Sequence, residues 1–116
     1  MSSTRRIKGE VVLPAEADSA KAVRITIELR DVSAQDQPAP LLASTALNDV
    51  DIRAHQRIPF SFDAPATAAN RSLAMRVQVD MTPDQRHAAG DYLSTVSVPV
   101  APSGDVDKVV VPVTRL

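Results

Sequence analysis

The sequence has no cysteine and no tryptophan, and its aromatic residues are only Phe60, Phe62 and Tyr92. Without cysteine, the chain has no disulfide, no thiolate metal ligand and no cysteine nucleophile. Three aromatic side chains also leave little surface on which single-stranded bases can stack. These absences exclude disulfide-stabilised folds and cysteine chemistry, and they argue against a protein that binds single-stranded nucleic acid.

A charge of one sign is also lacking, because 13 basic residues stand against 14 acidic ones. Such a balance creates no basic field to attract nucleic acid or anionic lipid. No apolar run approaches the roughly 18 residues of a membrane-spanning helix. We therefore expect no nucleic-acid partner and no membrane insertion. We also expect a cytoplasmic location for the sequence as written, and a periplasmic one only if Met1 replaces a removed signal peptide.

The length of 116 residues suits one domain, which at this size buries roughly two-thirds of the surface of its unfolded chain. No internal repeat or linker divides the sequence. The prediction is a flexible N-terminal tail at residues 1–6 and one β-sandwich domain at residues 7–116.

The clearest pattern in the sequence lies at residues 22–33, where Val23, Ile25, Ile27 and Leu29 alternate with polar and charged residues. A period of two predicts a strand with one face on a core and one face in water. A helix needs apolar residues at spacings of three and four, which this stretch lacks. Its β-branched residues also favour a strand.

Six further strands are predicted around this one, at residues 7–13, 41–47, 57–62, 72–80, 91–100 and 106–114. In the fourth strand of the chain, Ile58, Phe60 and Phe62 share a face, so two aromatic rings enter the core together. Residues 41–47 also suit a helix, and we interpret them as a strand because their neighbours are strands. Pro59, Pro99 and Pro112 are expected at sheet edges or bulges.

One helical turn is predicted near residues 83–89. Thr82 is a good N-cap, Pro83 suits the first helical position, and Gly90 can close the turn. The fold class is therefore all-β: a single seven-stranded antiparallel β-sandwich of the immunoglobulin or prealbumin kind, with one short helical turn.

The residues that most resemble a metal site are Asp80, Asp84, His87 and Asp91. Three carboxylates and an imidazole on one connection are possible ligands. Their spacing matches neither an EF-hand loop nor a zincin helix, so a polar connector with ordinary caps is the favoured interpretation. We expect no bound metal and no cofactor.

No catalytic residue is predicted. A serine triad would need His55 or His87 beside a serine and a carboxylate, and the sequence offers no nucleophile motif such as G-x-S-x-G. His55 lies in a polar run and is expected to be exposed. The protein is therefore expected not to be an enzyme.

The order of several short motifs resembles a family of small bacterial β-sandwich proteins, the YbaY/YscW-type lipoproteins, which include the pilotin-like chaperones of type III secretion. The resemblance implies a seven-stranded sandwich and supplies no catalytic residues. The sequence departs from the family in having no cysteine to lipidate. The motifs are Gly9-Glu10-Val11, residues 27–33 with the pattern L-x-D-V-S, residues 58–62 with the pattern I-P-F-x-F, residues 73–77, and residues 90–95 running into Val98-Pro99-Val100.

The expected function is that of a non-enzymatic binding or chaperone-like module, resembling pilotin-type lipoproteins. Its expected partner is another protein, which can add as an extra strand to an open sheet edge. The alternative is a small-molecule or metal-binding domain that uses the loop at residues 80–91. The outer face of the central strand, with Arg24, Glu28 and Arg30, is expected to be solvated and paired with Arg76 or Asp80.

Overall fold

A computed structural model describes residues 4–34, 37–83 and 90–116. All regular structure in these residues is β-strand. The nine strands of the described residues are β1 (Thr4–Val12), β2 (Ala20–Asp31), β3 (Leu41–Ile52), β4 (Arg57–Pro65), β5 (Leu73–Asp80), β6 (Tyr92–Leu93), β7 (Val98–Val100), β8 (Val106–Pro112) and β9 (Thr114–Arg115).

The strands form two sheets whose buried residues belong to one apolar cluster. The smaller sheet has the order β4-β1-β8, and the larger has the order β3-β2-β5-β6-β9, with β7 also paired to β5. The predictions of an all-β fold and of strands at residues 41–47 are confirmed. The prediction of a purely antiparallel fold is wrong, because β1 and β8 run parallel.

The described residues contain nine strands instead of the predicted seven, because two predicted strands are each divided. Residues 94–97 leave the ladder beside β5, which separates β6 from β7. The chain then changes sheets between β8, which pairs with β1, and β9, which pairs with β6. At the change of sheet, the Val113 amide donates a 3.1 Å hydrogen bond to the Val12 carbonyl. The last predicted strand therefore joins the two sheets.

β2 lies in the middle of the larger sheet, between β3 and β5. Its side chains Ile25, Ile27 and Leu29 are completely buried, which confirms the predicted inward face. Val23 does not continue that face, because it is half-buried while its neighbour Ala22 is completely buried. The interruption lies beside Asp49 of β3, whose φ of 53° departs from that of a regular strand.

The N-terminal strand begins at Thr4, so residues 4–6 are not the flexible tail that the sequence predicts. Arg5 is only 5% exposed, and its guanidinium donates hydrogen bonds to the carbonyl oxygens of Ala101 and, at 3.2 Å, Gly104. Burial lowers the pKa of Arg5, and the negative charge of Asp105 acts in the opposite direction. These contacts with a turn distant in sequence extend β1 to Thr4. Local periodicity in the sequence does not predict them.

The smaller sheet supplies the two phenylalanines of the core. Ile58, Phe60 and Phe62 are buried as predicted, and the two phenylalanine ring centroids lie 6.0 Å apart. Gly9 faces Phe60 across the β1–β4 ladder. A Cβ atom at Gly9 would lie 2.2 Å from the Val109 carbonyl oxygen, so β8 passes β1 at a distance that only glycine permits.

Residues 84–89 of the helical turn predicted near residues 83–89 lie outside the described residues. Among the residues that are described, no helix has the length and apolar character needed to cross a membrane.

Candidate protein-binding surfaces

Two of the four candidate metal ligands, Asp84 and His87, lie outside the described residues. The other two are buried and accept hydrogen bonds from the protein. Asp80 accepts a 2.7 Å bond from the side-chain amide of Gln78, and Asp91 accepts a 2.8 Å bond from the backbone N–H of Met81. Asp91 also accepts, through its main-chain oxygen, a 2.8 Å bond from the Leu116 amide. Both aspartates therefore have identifiable structural contacts.

Within residues 4–34, 37–83 and 90–116, no group of three or more histidine or carboxylate side chains is placed to hold a metal ion. His55 is exposed, as predicted, in the turn between β3 and β4. Its φ of 60° places it in the left-handed region, and its amide donates to the Pro14 carbonyl. This geometry indicates a turn residue.

The L-x-D-V-S motif at the end of β2 has a structural role. Asp31 accepts a 2.9 Å hydrogen bond from the Ser33 amide, and the Ser33 hydroxyl oxygen accepts one of 2.8 Å from the Ser72 amide. The Val32 amide donates to the Ser72 carbonyl at 2.8 Å. Together these bonds hold the end of β2 against the residue that precedes β5.

The hydrogen bonds from Ser33 lower the pKa of Asp31, and the cation of Arg71, 3.7 Å away, acts in the same direction. A lowered pKa in the folded state means that ionised Asp31 stabilises the fold above its unfolded pKa, roughly 3.9. That stabilisation is lost as the pH falls through the lower, folded value.

We predict that Asp31→Asn will reduce the acid dependence of stability below about pH 4. Urea unfolding of the parent and the variant across the acid range measures it. Asp18→Asn, which alters an exposed aspartate, is the control. Equal slopes for the parent and Asp31→Asn would contradict the prediction.

The outer face of the larger sheet pairs its charges differently from the prediction. Glu28 lies opposite Arg76 across the β2–β5 ladder, yet it forms its ion pair with Arg30, two residues along its own strand, at 2.9 Å. Arg30 also donates a 2.7 Å bond to the Ala39 carbonyl. The bond to the Ala39 carbonyl holds the Arg30 side chain where it pairs with Glu28. The predicted cross-strand pair between Glu28 and Arg76 therefore does not form.

A groove of about 500 Å³ lies on this outer face, beneath the segment that separates β6 from β7. Ala74 forms part of its floor and is nearly buried, while Val96 is 61% exposed. The groove could not be predicted from the sequence, because residues 94–97 continue the pattern of a strand. Its lining includes Glu28, Val32, Ala74, Arg76, Gln78, Leu93 and residues 94–97.

Ser94 keeps the groove in place by completing the edge of β5. Its hydroxyl oxygen accepts a 2.9 Å hydrogen bond from the Val77 amide, and its own amide donates a 2.9 Å bond to the Val77 carbonyl. Ser94 thus serves as the hydrogen-bond partner of both the amide and the carbonyl of Val77, which is only 1% exposed.

We predict that Ser94→Ala will lower the free energy of unfolding by about 1–3 kcal/mol, because the buried Val77 amide loses its acceptor. Ser94→Thr retains the hydroxyl and should recover most of the loss. Ser97→Ala, at an exposed position of the same segment, should change stability by less than about 0.5 kcal/mol. Chemical denaturation measures all three, and equal effects at Ser94 and Ser97 would contradict the assignment.

Most strands with an unpaired side carry features that discourage the addition of another strand. β4 contains Pro59, β7 contains Pro99, and β8 contains a charged pair followed by Pro112. Prolines and charges of this kind are common protections of sheet edges. β9 has only two residues, which is too short to template an added strand.

β3 is the exception among the described strands. It forms the end of the larger sheet, with β2 as its partner on one side. Its residues 41–48 contain no charge and no proline. Leu41, at the start of this stretch, is 49% exposed. β3 is therefore the long edge that carries the fewest protections.

No family model matches the chain, and no curated protein matches it by sequence. Among solved structures it is similar to an alternative pilotin from the type II secretion system of Vibrio cholerae, with 15% identity and a TM-score of 0.69. The alignment covers 97% of this chain and 98% of that one. At this identity the similarity shows a shared fold. The pilotin-like fold is therefore confirmed, and membership of the YbaY/YscW-type family stays a prediction.

Proposed function

We propose that this chain is a non-enzymatic, chaperone-like module that binds a protein component of a secretion system, in the manner of a pilotin. The observation that carries the proposal is the fold similarity to a pilotin over almost the whole of both chains. A fold alone does not determine a function, so the proposal also depends on the surfaces of the protein.

The described surfaces favour a protein partner. The outer groove is lined by charged and apolar side chains together, among them Glu28, Arg76 and Leu93. The β3 edge offers unpaired main-chain groups that another extended segment can bind. We propose strand addition at a sheet edge as the binding mode, with main-chain hydrogen bonds providing affinity.

Affinity capture from the native organism, followed by reconstitution with the purified candidate partner, tests the proposal. We expect the same secretion-system protein in repeated captures and a direct complex between the two purified proteins. Failure of every captured candidate to bind after purification, together with hydrolytic activity in a substrate screen, would overturn it.

A further inference from the structure

We infer that the outer edge of β3 is the binding site, and that its ligand is an extended, uncharged peptide segment with a basic residue at the end beside Asp49. This inference rests on the proposed function and specifies the surface and the chemistry of the partner segment. Its support comes from the direction of the main-chain groups, the incomplete cover of the core along β3, and the distribution of charge.

The hydrogen bonds of Ser94 show in which direction the main-chain groups of the larger sheet point. Both main-chain groups of Val77 point away from β2, toward Ser94. Because successive residues of a strand alternate in direction, Arg76 points toward β2 and pairs there with Glu28. By the same alternation, Ile27 points toward β3 and pairs with Thr45.

Ser44 and Ala46, on either side of Thr45, therefore direct their N–H and C=O groups away from β2. In the described part of the chain no strand pairs with that side of β3. Both side chains are exposed, as is that of Asn48. An incoming strand can bind these groups without breaking any hydrogen bond of the larger sheet.

The core is incompletely covered along the same edge. Four apolar side chains of β3 pack against the core yet are only partly buried, and Leu41 is 49% exposed. Inward side chains of an added strand would lie beside this row and remove more of it from water. The four partly buried residues are Leu42, Ala43, Leu47 and Val50.

The charges distinguish the ends of the site. After the uncharged stretch, β3 continues through the exposed residues Asp49 and Asp51. A basic residue on the partner complements this acidic end, whereas an acidic one is repelled. Lys21 faces Asp51 across the ladder from the other side, so Asp49 is the better position for the new contact.

A second copy of this chain fits the site less well. Pairing β3 with itself in antiparallel orientation, with Ser44 opposite Ala46, brings Asp49 opposite the exposed Leu41 of the other copy. β3 contains no basic residue to meet either aspartate. The charge pattern therefore favours a different chain as the occupant.

The test uses a synthetic peptide of alternating threonine and valine with a lysine at one end, and a matched peptide with glutamate in its place. Nuclear magnetic resonance of the labelled full chain follows amide shifts and hydrogen exchange. With the lysine peptide, we expect shifts and slower exchange at Ser44, Ala46 and Asn48. The glutamate peptide should bind about fivefold or more weakly. Asp49→Asn should remove most of that difference.

Two edge variants complete the test. Ala46→Pro removes an outward N–H, and Ala46→Lys places a common edge protection there. Both should abolish peptide binding, whereas Ser61→Lys, an exposed position on β4, should leave it unchanged. Retained far-ultraviolet circular dichroism and a sharp spectrum would show that each variant is folded.

Three results with the peptides would overturn the inference: no binding up to about millimolar peptide, binding that survives both Ala46 variants, or shifts confined to residues 94–97. A concentration-dependent dimer that Ala46→Lys dissociates would assign the edge to a second copy, and would also overturn it. These results test the binding site, whereas the proposed function is tested with the purified natural partner. If that partner binds parent and Ala46→Lys equally, the site is wrong and the proposed function stands.

Discussion

Replacing Gly9 with alanine should lower the free energy of unfolding by about 3 kcal/mol or more, at the upper end of the effects of overpacking. The added Cβ atom would lie 2.2 Å from the Val109 carbonyl oxygen, 2.5 Å from the Val109 Cγ1 atom and 2.7 Å from the Phe60 ring. A side chain can rotate away, but the carbonyl oxygen moves only if β8 moves away from β1. The substitution therefore acts on the parallel strand pair that holds the smaller sheet together. Urea unfolding followed by circular dichroism measures the loss.

The controls separate a steric clash from the general loss of a glycine. At Gly104 a Cβ atom meets nothing within 4 Å, and only the φ of 83° opposes a side chain. Gly104→Ala should therefore lose about 1–2 kcal/mol, the usual penalty of a left-handed conformation. Val109→Ala in the Gly9→Ala background should recover little, since the nearest obstructing atom belongs to the main chain. Full recovery in the double variant would show that the Val109 side chain, and not the strand spacing, sets the limit.

Replacing Ile27 with alanine should lower the free energy of unfolding by about 2–5 kcal/mol. Ile27 is completely buried, and the sheet brings it beside Thr45 on one side and Val77 on the other. Deleting its side chain opens a cavity between two strands that are themselves fixed by main-chain hydrogen bonds. The surroundings can therefore collapse only slightly, and the cavity adds to the lost transfer free energy.

Val23→Ala is the matched control because the sequence pattern assigns both residues to the same inward face. Val23 is half-buried in the structure, so its truncation should lower stability by about 1 kcal/mol. Thermal or chemical denaturation of both variants checks the comparison. Losses of equal size would mean that the regular alternation continues through Val23.

The alternation of β2 and the row of Ile58, Phe60 and Phe62 were predictable because each has one apolar face. Residues 109–111 are all valine, so the sequence does not show which side is inward. In the structure Val109 and Val111 are buried, while Val110 is 42% exposed. Their burial depends on the pairing of β8 with β1, which is a long-range contact that local periodicity does not contain.

The candidate binding edge was predictable only in part. The absence of charge and proline at residues 41–48 is visible in the sequence. That β3 lies at the end of a sheet is a property of the topology, and that Ser44 and Ala46 point outward depends on the register with β2. The sequence predicts one strand through residues 94–97, whereas in the structure these residues leave the ladder with β5 and separate β6 from β7.

The parallel pairing of β1 with β8 has a consequence for how the protein folds during synthesis. The ladder joins Ile7 to Val106, so the middle strand of the smaller sheet meets its second neighbour only after all the residues between them have been synthesised. Closing so long a loop makes folding slow compared with that of proteins built from local contacts. Until β8 arrives, one side of β1 stays unpaired and open to wrong partners. During synthesis β1 thus depends on β8 to cover its open side.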